Sequence, residues 1–210
     1  SAFAIAASTG IITVSDADDI DDEKASDAAF DLVVQATDGV TADTETITIT
    51  ITNTAPTVTD NDVSYAESTS CAASVATIVT TGDTTGLTWS ITAGNEDTDS
   101  DGTAALTIGA STGIITVADC DDIDAESGTG NSFTLTVQAT DGVTPDTESI
   151  TVTITNTNPT VTDNDVNLAE AGATGSYGTV VDLATTGDQT GLTWSIASGN
   201  EDTDSDGTAA

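Results

Sequence analysis

The chain lacks most of the side chains that bind anions or transfer protons. Its 210 residues contain no histidine and no methionine, and Lys24 is the single basic residue against 36 aspartates and glutamates. A formal charge of −35 repels phosphate, which excludes nucleic acid as a partner and disfavours contact with an anionic membrane. Because the usual catalytic bases and anion clamps are missing, we predict that the chain is not an enzyme.

Long apolar runs are missing as well. No stretch is apolar enough to span a bilayer, and the N-terminus has no basic region followed by an apolar one. The aliphatic and phenylalanine content is low enough to bring a disordered acidic tail into consideration, but the apolar residues are regularly patterned, which favours a folded chain. Two cysteines, Cys71 and Cys120, are compatible with an oxidising compartment, and we expect an extracellular or cell-surface location.

What the sequence does have is strong self-similarity. Matching strings recur after about 100 residues: STGIITV at 8–14 and 111–117, QATDGV at 35–40 and 138–143, TVTDNDV at 57–63 and 160–166, and GLTWSI at 86–91 and 191–196. A period of this length allows each repeat its own core. Because Pro56 and Pro159 each end a threonine-rich strand, we predict the end of one repeat at 1–55, a complete repeat at 56–158 and the start of a third at 159–210.

The local pattern is that of β-strands. Phe133, Leu135 and Val137 alternate with polar residues, as expected for a strand with one buried and one wet face. Asp-Gly and Thr-Gly pairs separate such segments as turns. About seven short strands per repeat indicate a two-sheet sandwich, so the predicted fold class is all-β.

Acidic and amide residues recur at matched positions of the repeats. They are Asp21 with Glu23 and Asp124 with Glu126, Asp38 and Asp141, Asn53 and Asn156, Glu67 and Glu170, and Asp83 and Asp188. Two carboxylates about 4 Å apart repel by roughly 1 kcal/mol in water, so a cluster of them takes up protons or binds metal. Oxygen-only ligands favour hard cations such as Ca²⁺. The alternative is that these acids only face solvent.

Several of these motifs resemble the cadherin repeat and the related bacterial cadherin-like modules. Residues 34–39 and 137–142 look like the Val-x-Ala-x-Asp-Gly strand, and residues 87–91 look like the Leu-x-Tyr-Ser-Ile strand. The pairs Asp21/Glu23 and Asp124/Glu126 are similar to the Leu-Asp-x-Glu signature. The resemblance covers essentially the whole chain and implies tandem immunoglobulin-like Greek-key β-sandwich domains.

In that family calcium binds between consecutive domains. The resemblance therefore implies one junction before the complete repeat, formed by Asp21, Glu23, Asn53, Asp83 and Asp141, and one after it, formed by Glu67, Asp124, Glu126, Asn156 and Asp188. Asp38 would face an earlier junction, and Glu170 corresponds to Glu67 in the next repeat. Because both linkers carry fewer carboxylates than the family pattern, we expect fewer ions or weaker binding, with one calcium per junction.

A second candidate calcium site does not depend on the resemblance. Asp97, Asp99 and Asp101 stand at positions one, three and five of a loop with Gly102 at position six, and Asp202, Asp204 and Asp206 repeat the arrangement. This is the first half of an EF-hand-type loop, although Ile108 replaces the glutamate expected at position twelve. The alternative is an acidic, solvated hairpin loop.

The cysteines lie near two of the implied calcium ligands. Cys71 follows Glu67 by four residues, and Cys120 precedes Asp124 by four. If those acids meet at one calcium, the cysteines lie close together, and a disulfide between them would stabilise the repeat by about 4 kcal/mol. The alternative is two buried free thiols.

The leading functional hypothesis is a structural or adhesive extracellular protein that forms a calcium-stiffened rod or filament by self-association or homophilic contacts. One alternative is the stalk of a larger cell-surface adhesin. Another is a ligand- or glycan-binding module, but the few aromatic residues sit at predicted core positions of strands. Exposed threonines and serines could carry O-linked glycans.

Overall fold

The computed structural model describes residues 1–24, 28–67, 71–162, 165–168, 179–188 and 191–200. Across those residues the chain forms strands and one short 3-10 helix at Ala17–Asp19, so the predicted all-β fold class is confirmed. The strands are β1 (Phe3–Ile5), β2 (Ile12–Val14), β3 (Ala29–Thr37), β4 (Ala42–Thr50), β5 (Thr57–Val58), β6 (Val63–Ala66), β7 (Ser74–Thr77), β8 (Thr80–Thr81), β9 (Thr88–Ala93), β10 (Leu106–Ile108), β11 (Ile114–Val117), β12 (Ser132–Thr140), β13 (Pro145–Thr155), β14 (Thr160–Val161) and β15 (Thr185–Thr186).

Residues 56–158, called the middle repeat below, contain two packed sheets and the short antiparallel pair β5–β8. The larger has the strand order β6–β13–β12–β9, and the smaller has the order β10–β11–β7. β12 pairs antiparallel with β13 from Ser132↔Thr153 to Thr140↔Pro145, whereas β6 runs parallel to β13. The two sheets form the predicted β-sandwich.

The core of the middle repeat follows from alternation along its longest strands. In β12 the side chains of Phe133, Leu135 and Val137 are buried, and the residues between them are not. They pack with Ile150 from β13 and with Ile115 from the other sheet. Burying one such side chain contributes about 1.5–3 kcal/mol, so this alternating face accounts for much of the stability of the sandwich.

The flanking segments have the same sequence pattern but fewer strand partners. Residues 1–55 form two separate two-stranded sheets, β1–β2 and β3–β4, which meet where the Phe3 ring packs edge-on against Phe30 at 5.1 Å. After the middle repeat, β14 pairs with β15. The boundaries at residues 55/56 and 158/159 stay a prediction.

A disulfide joins Cys71, just before β7, to Cys120, in the loop between β11 and β12. The two Cα atoms lie 5.4 Å apart, and Cys120 packs against the core. The bond closes a chain segment with a sequence separation of 49 residues. In the chain-entropy account, a closed loop of this size restricts the unfolded chain and so stabilises the folded one.

Replacing both cysteines by serine should therefore lower the free energy of unfolding of the middle repeat by about 4 kcal/mol. The measurement is denaturant unfolding followed by the fluorescence of Trp89, which is buried in this core. Adding reductant should lower the stability of the natural chain by a similar amount and leave the double variant unchanged. Equal midpoints for the natural chain and the double variant would contradict the expected stabilisation.

Candidate metal centres

Three carboxylates meet at the end of the middle repeat that faces the third segment. Ligand oxygens of Glu67, Asp124 and Glu126 all lie within 4.8 Å of one another. Glu67 directly follows β6, and the other two residues come from the loop between β11 and β12. We call these three residues the second junction cluster.

The buried Glu67 holds this end of the repeat together through main-chain N–H groups. Its Oε2 accepts a hydrogen bond from the N–H of Ala125 at 2.7 Å, and its Oε1 accepts one from the N–H of Thr157 at 2.6 Å. The Thr157 hydroxyl also donates to the Glu67 carbonyl at 2.9 Å. One glutamate thus connects the end of β6, the loop that carries the other two acids and the linker that follows β13.

The third segment reaches the same cluster through Asp188. The N–H of Asp188 donates to the carbonyl of Thr157 at 3.2 Å. Glu126 is exposed at the surface, but partial desolvation by its neighbours first, and then the charges of Glu67, Asp188 and Asp124, raise its pKa. Acids from two successive repeats therefore repel one another at this junction. Asn156 lies in the linker with an exposed side chain, and Glu170 lies outside the described residues.

Acids also approach one another at the opposite end of the middle repeat, but among the described residues no three carboxylates there lie within 4.8 Å of one another, as those of the second junction cluster do. The amide Nδ2 of Asn53, in the linker before β5, donates to Oδ2 of Asp141 at 3.1 Å. Oδ1 of Asp141 accepts the N–H groups of Val143 and Thr144, each at 2.8 Å. Although burial opposes it, these donors keep the pKa of Asp141 low. We call Asp21, Glu23, Asn53, Asp83 and Asp141 the first junction cluster.

Glu23 is the least satisfied acid of the first junction cluster. Both of its carboxylate oxygens and Oδ1 of Asn53 are buried without a hydrogen-bond partner. The main-chain N–H of Glu23 favours the charged form, but burial, the neighbouring Asp21 carboxyl and the charges of Asp83 and Asp141 together raise the pKa of Glu23. Buried acceptors without donors are costly, and a cation would satisfy them.

Lys24 neutralises part of the first junction cluster. Its Nζ lies 3.0 Å from Oδ2 of Asp21, and this ion pair is the main reason why the pKa of Asp21 is lowered. Asp83 accepts the N–H of Thr85 at 2.7 Å and approaches from the side of the middle repeat.

Asp38 lies in the turn between β3 and β4, at the far end of that hairpin from Asn53. Its exposed carboxylate accepts the N–H groups of Thr41 at 2.8 Å and Val40 at 2.9 Å, which lower its pKa. The structure therefore does not bring Asp38 to either junction cluster. The earlier junction that the resemblance implies for Asp38 stays a prediction.

The acidic loop before β10 brings Asp97, Asp99 and Asp101 together, again with ligand oxygens within 4.8 Å. Asp97 organises the loop, because its carboxylate accepts the N–H groups of Ser100, Asp101 and Gly102 at 2.6 to 3.2 Å. Gly102 has φ +104°, a conformation that a side chain would disfavour. The matching residues Asp202, Asp204 and Asp206 lie outside the described residues.

One acid that supports this loop was not predicted from the sequence. Asp122 is completely buried, and its Oδ1 accepts the N–H groups of Thr98 at 2.6 Å and Asp99 at 3.0 Å. Its Oδ2 has no hydrogen-bond partner. The sequence offers only a weak signal, since Asp122 is one acid in a run of acids between Asp119 and Asp124.

No protein-family model matches the chain, and no curated protein matches it either. Among solved structures it is similar to the protocadherin GammaB4 extracellular domain, with 21% identity and a TM-score of 0.44 over 80% of this chain and 29% of that one. It is also similar to mouse clustered PcdhgC3 EC1-3, with 19% identity and a TM-score of 0.41 over 65% of this chain and 45% of that one. Human Protocadherin-24 EC1-2 gives 14% identity and a TM-score of 0.39 over 74% and 76% of the two chains.

The chain thus spans only about a third of the length of the first protocadherin structures it resembles. At these identities and TM-scores no property passes from those proteins to this chain, and the β-sandwich rests on the strand pairing described above. The comparisons do not assign the chain to the bacterial-type modules. Within the described residues there is no helix with the length and apolar character needed to cross a membrane.

The raised pKa of Glu126 predicts a pH-dependent effect of Glu126→Gln in the presence of a chelator. A carboxyl whose pKa is higher in the folded than in the unfolded chain destabilises the fold when it is charged. This destabilisation is fully present above the folded-state pKa and disappears below the unfolded-state value of about 4.3. The variant should therefore be more stable than the natural chain at neutral pH and equally stable at pH about 3.

Thermal unfolding at both pH values measures this difference. Glu148→Gln is the control, because Glu148 lies within β13 and belongs to neither junction cluster. If Glu126→Gln and Glu148→Gln change the stability equally at neutral pH, the repulsion at the junction does not destabilise the fold.

Proposed function

We propose that the chain belongs to an extracellular structural or adhesive protein whose tandem β-sandwich repeats are stiffened by calcium at their junctions. The supporting observation is that acids from successive repeats approach one another at both ends of the middle repeat. Asp188 of the third segment acts on Glu126 at one end. Asp83 and Asp141 of the middle repeat act on Glu23 of the first segment at the other.

The ligand chemistry at the second junction cluster fits calcium. Calcium in proteins takes six to eight oxygen ligands, commonly carboxylates and carbonyls. Glu67, Asp124 and Glu126 would hold the ion, and Asp188 would contribute from the next repeat. The cation would offset the repulsion that raises the pKa of Glu126.

The first junction cluster fits for a different reason. The unpartnered oxygens of Glu23 and Asn53 are buried, and all of them accept hydrogen bonds but cannot donate. A calcium ion supplies the positive charge that these oxygens lack. Glu23, Asn53 and the neighbouring Asp83 would hold it, while Asp21 is already paired with Lys24.

Calcium held by two repeats fixes their relative orientation. Without the ion, successive repeats are joined by a short linker and by few contacts, such as the Asn53–Asp141 hydrogen bond. With the ion, carboxylates of both repeats are attracted to the same cation, and the tandem repeats form a stiff rod. Acidic groups that recur at each junction suit this structural role better than catalysis, and they leave the outer faces of the sheets available for self-association.

Calcium should stabilise the chain against unfolding. With a dissociation constant of about 10⁻⁴ M, which is typical of extracellular modules, 10 mM calcium adds about 2.7 kcal/mol for each site that binds only the folded state. Thermal unfolding in 10 mM calcium and in chelator measures the difference. If the melting temperature is the same in both solutions, calcium does not stabilise the repeats.

Individual ligands can be tested by calcium titration calorimetry. Glu126→Gln should weaken binding by about tenfold, since each ligand group of a metal site typically contributes at least as much as a residue that supports it. Glu148→Gln also removes one negative charge, from a position within β13 that belongs to neither junction cluster, and should leave the affinity unchanged. Equal affinities for the two variants would remove Glu126 from the proposed site.

A further inference from the structure

The buried carboxylate of Asp122 has hydrogen-bond partners on only one of its two oxygens. Its Oδ1 accepts three hydrogen bonds from the acidic loop: the N–H of Thr98 at 2.6 Å, the Thr98 hydroxyl at 2.6 Å and the N–H of Asp99 at 3.0 Å. Its Oδ2 accepts none, although it is buried with the rest of the residue. A buried carboxylate oxygen without a partner is costly, so binding of a partner from solution is favoured there.

The middle repeat contains no basic side chain that could supply this partner. Lys24 is the single basic residue of the chain, and it pairs with Asp21 in the first segment. Buried charges in proteins are normally paired with an opposite charge or bound to a metal ion. The positive charge that would stabilise Asp122 therefore has to come from an ion in solution.

The acidic loop that contacts Asp122 offers further oxygen ligands. Ligand oxygens of Asp97, Asp99 and Asp101 lie within 4.8 Å of one another. This spacing fits one calcium ion, because ligands about 2.3–2.6 Å from the same ion are at most about 5 Å apart. Asp99 and Asp101 are exposed, so an ion and the water molecules that complete its coordination can enter from solution.

The charge of Asp122 acts on the exposed acids of this loop. The N–H of Asp101 favours the charged form of Asp99, but partial desolvation and the charge of Asp101 oppose it. The neighbouring Asp97 carboxyl and the charge of Asp122 add to this opposition, and together these groups raise the pKa of Asp99. A cation among the four carboxylates would relieve this repulsion.

The loop lacks the glutamate that closes an EF-hand site at position twelve. Ile108 stands there, pairs with Ile115 and packs against the core, so this position provides no ligand. The fold places Asp122 beside the loop instead, from the segment between β11 and β12. A sequence motif written for consecutive positions does not include an acid that comes from another loop.

We propose that one calcium ion binds inside the middle repeat, held by Asp97, Asp99 and Asp101, with Asp122 on the buried side of the loop. The ion, or a water molecule bound to it, gives Oδ2 of Asp122 the partner it lacks. We call this the loop site. None of its residues belongs to a junction cluster, so this inference goes beyond the proposed function. The ion would connect the β9–β10 loop to the β11–β12 loop and stiffen the repeat itself.

The test is a calcium titration of the isotopically labelled 210-residue chain, followed by NMR of its main-chain N–H groups. The N–H of Gly102 donates to Asp97 and that of Asp99 donates to Asp122, so both signals report on the loop site. In about 0.15 M sodium chloride, which screens weak charge interactions, both signals should shift. The shifts should saturate between about 10⁻⁴ and 10⁻³ M calcium. Signals that stay fixed, or that drift without saturating and so indicate an adventitious ion only, would overturn the proposal.

The role of Asp122 is tested with Asp122→Asn. Asparagine keeps one oxygen for the N–H groups of Thr98 and Asp99, but its amide NH₂ donates hydrogen bonds and cannot bind a cation. The calcium affinity read from the Gly102 signal should fall by about tenfold or more. Asp121→Asn removes the same charge from the exposed neighbouring residue and should leave this affinity unchanged. Equal affinities for the two variants would overturn the proposal.

Asp101→Ala provides a second test that leaves every buried residue in place. Asp101 is exposed, and its hydrogen bond with the N–H of Thr103 is local, so the variant should keep the fold. The Asp99 signal should need about tenfold more calcium for half of its shift than in the control Asp121→Ala. The same calcium dependence in both variants would contradict the loop site.

The same titration separates the loop site from calcium at the junctions. The N–H of Thr157 donates to Glu67 and reports on the second junction cluster. A saturating shift of Gly102 without a shift of Thr157 would support the loop site even if the junction binds no calcium. A saturating shift of Thr157 alone would overturn the loop site and leave the proposed function standing.

Discussion

Main-chain N–H groups do in this protein what basic side chains do in most others. With Lys24 as the only basic side chain, the acids that shape the fold accept hydrogen bonds from the backbone: Glu67 from Ala125 and Thr157, Asp141 from Val143 and Thr144, and Asp97 from three successive residues of its loop. Such charge-assisted bonds are strong and local. They position the acids but leave the net negative charge in place, so the carboxylates that meet at the junctions still repel one another.

The chain contains its own comparison of the same sequence in two environments. Phe133, Leu135 and Val137 are buried because β9 lies beside β12 and the β10–β11–β7 sheet packs across its face. The equivalent residues of β3 follow the same alternation, yet among the described residues no strand pairs beside β3, and the facing sheet consists of β1 and β2 alone. Alternation therefore specifies which face of a strand is apolar, whereas burial depends on whether the other half of the repeat is at hand. The hydrophobic core forms in a complete repeat and not in a single hairpin.

This distinction also explains how much could be predicted from the sequence. The strands and their inward faces follow from a period of two, and the predicted alternation of residues 133–137 matches the buried side of β12. The meeting of Glu67 with Asp124 and Glu126 joins residues far apart in the chain, and only the cadherin resemblance suggested it. Asp122 was not predicted, because nothing in an acidic run shows which side chain turns inward. The N–H groups of Thr98 and Asp99 hold the Asp122 carboxylate in its buried position, and they come from a loop more than 20 residues earlier.

The Cys71–Cys120 bond ties the first half of the middle repeat to its second half. The residue that matches Cys120 in the first segment is Ala17, and neither flanking segment contains a cysteine. In repeats of nearly identical sequence, the first half of one repeat could pair with the second half of another, because the halves resemble one another. The covalent bond removes this ambiguity for the middle repeat, because its halves stay together through every opening of the sheets. It thereby keeps the two halves of one repeat paired with each other and not with the halves of its neighbours.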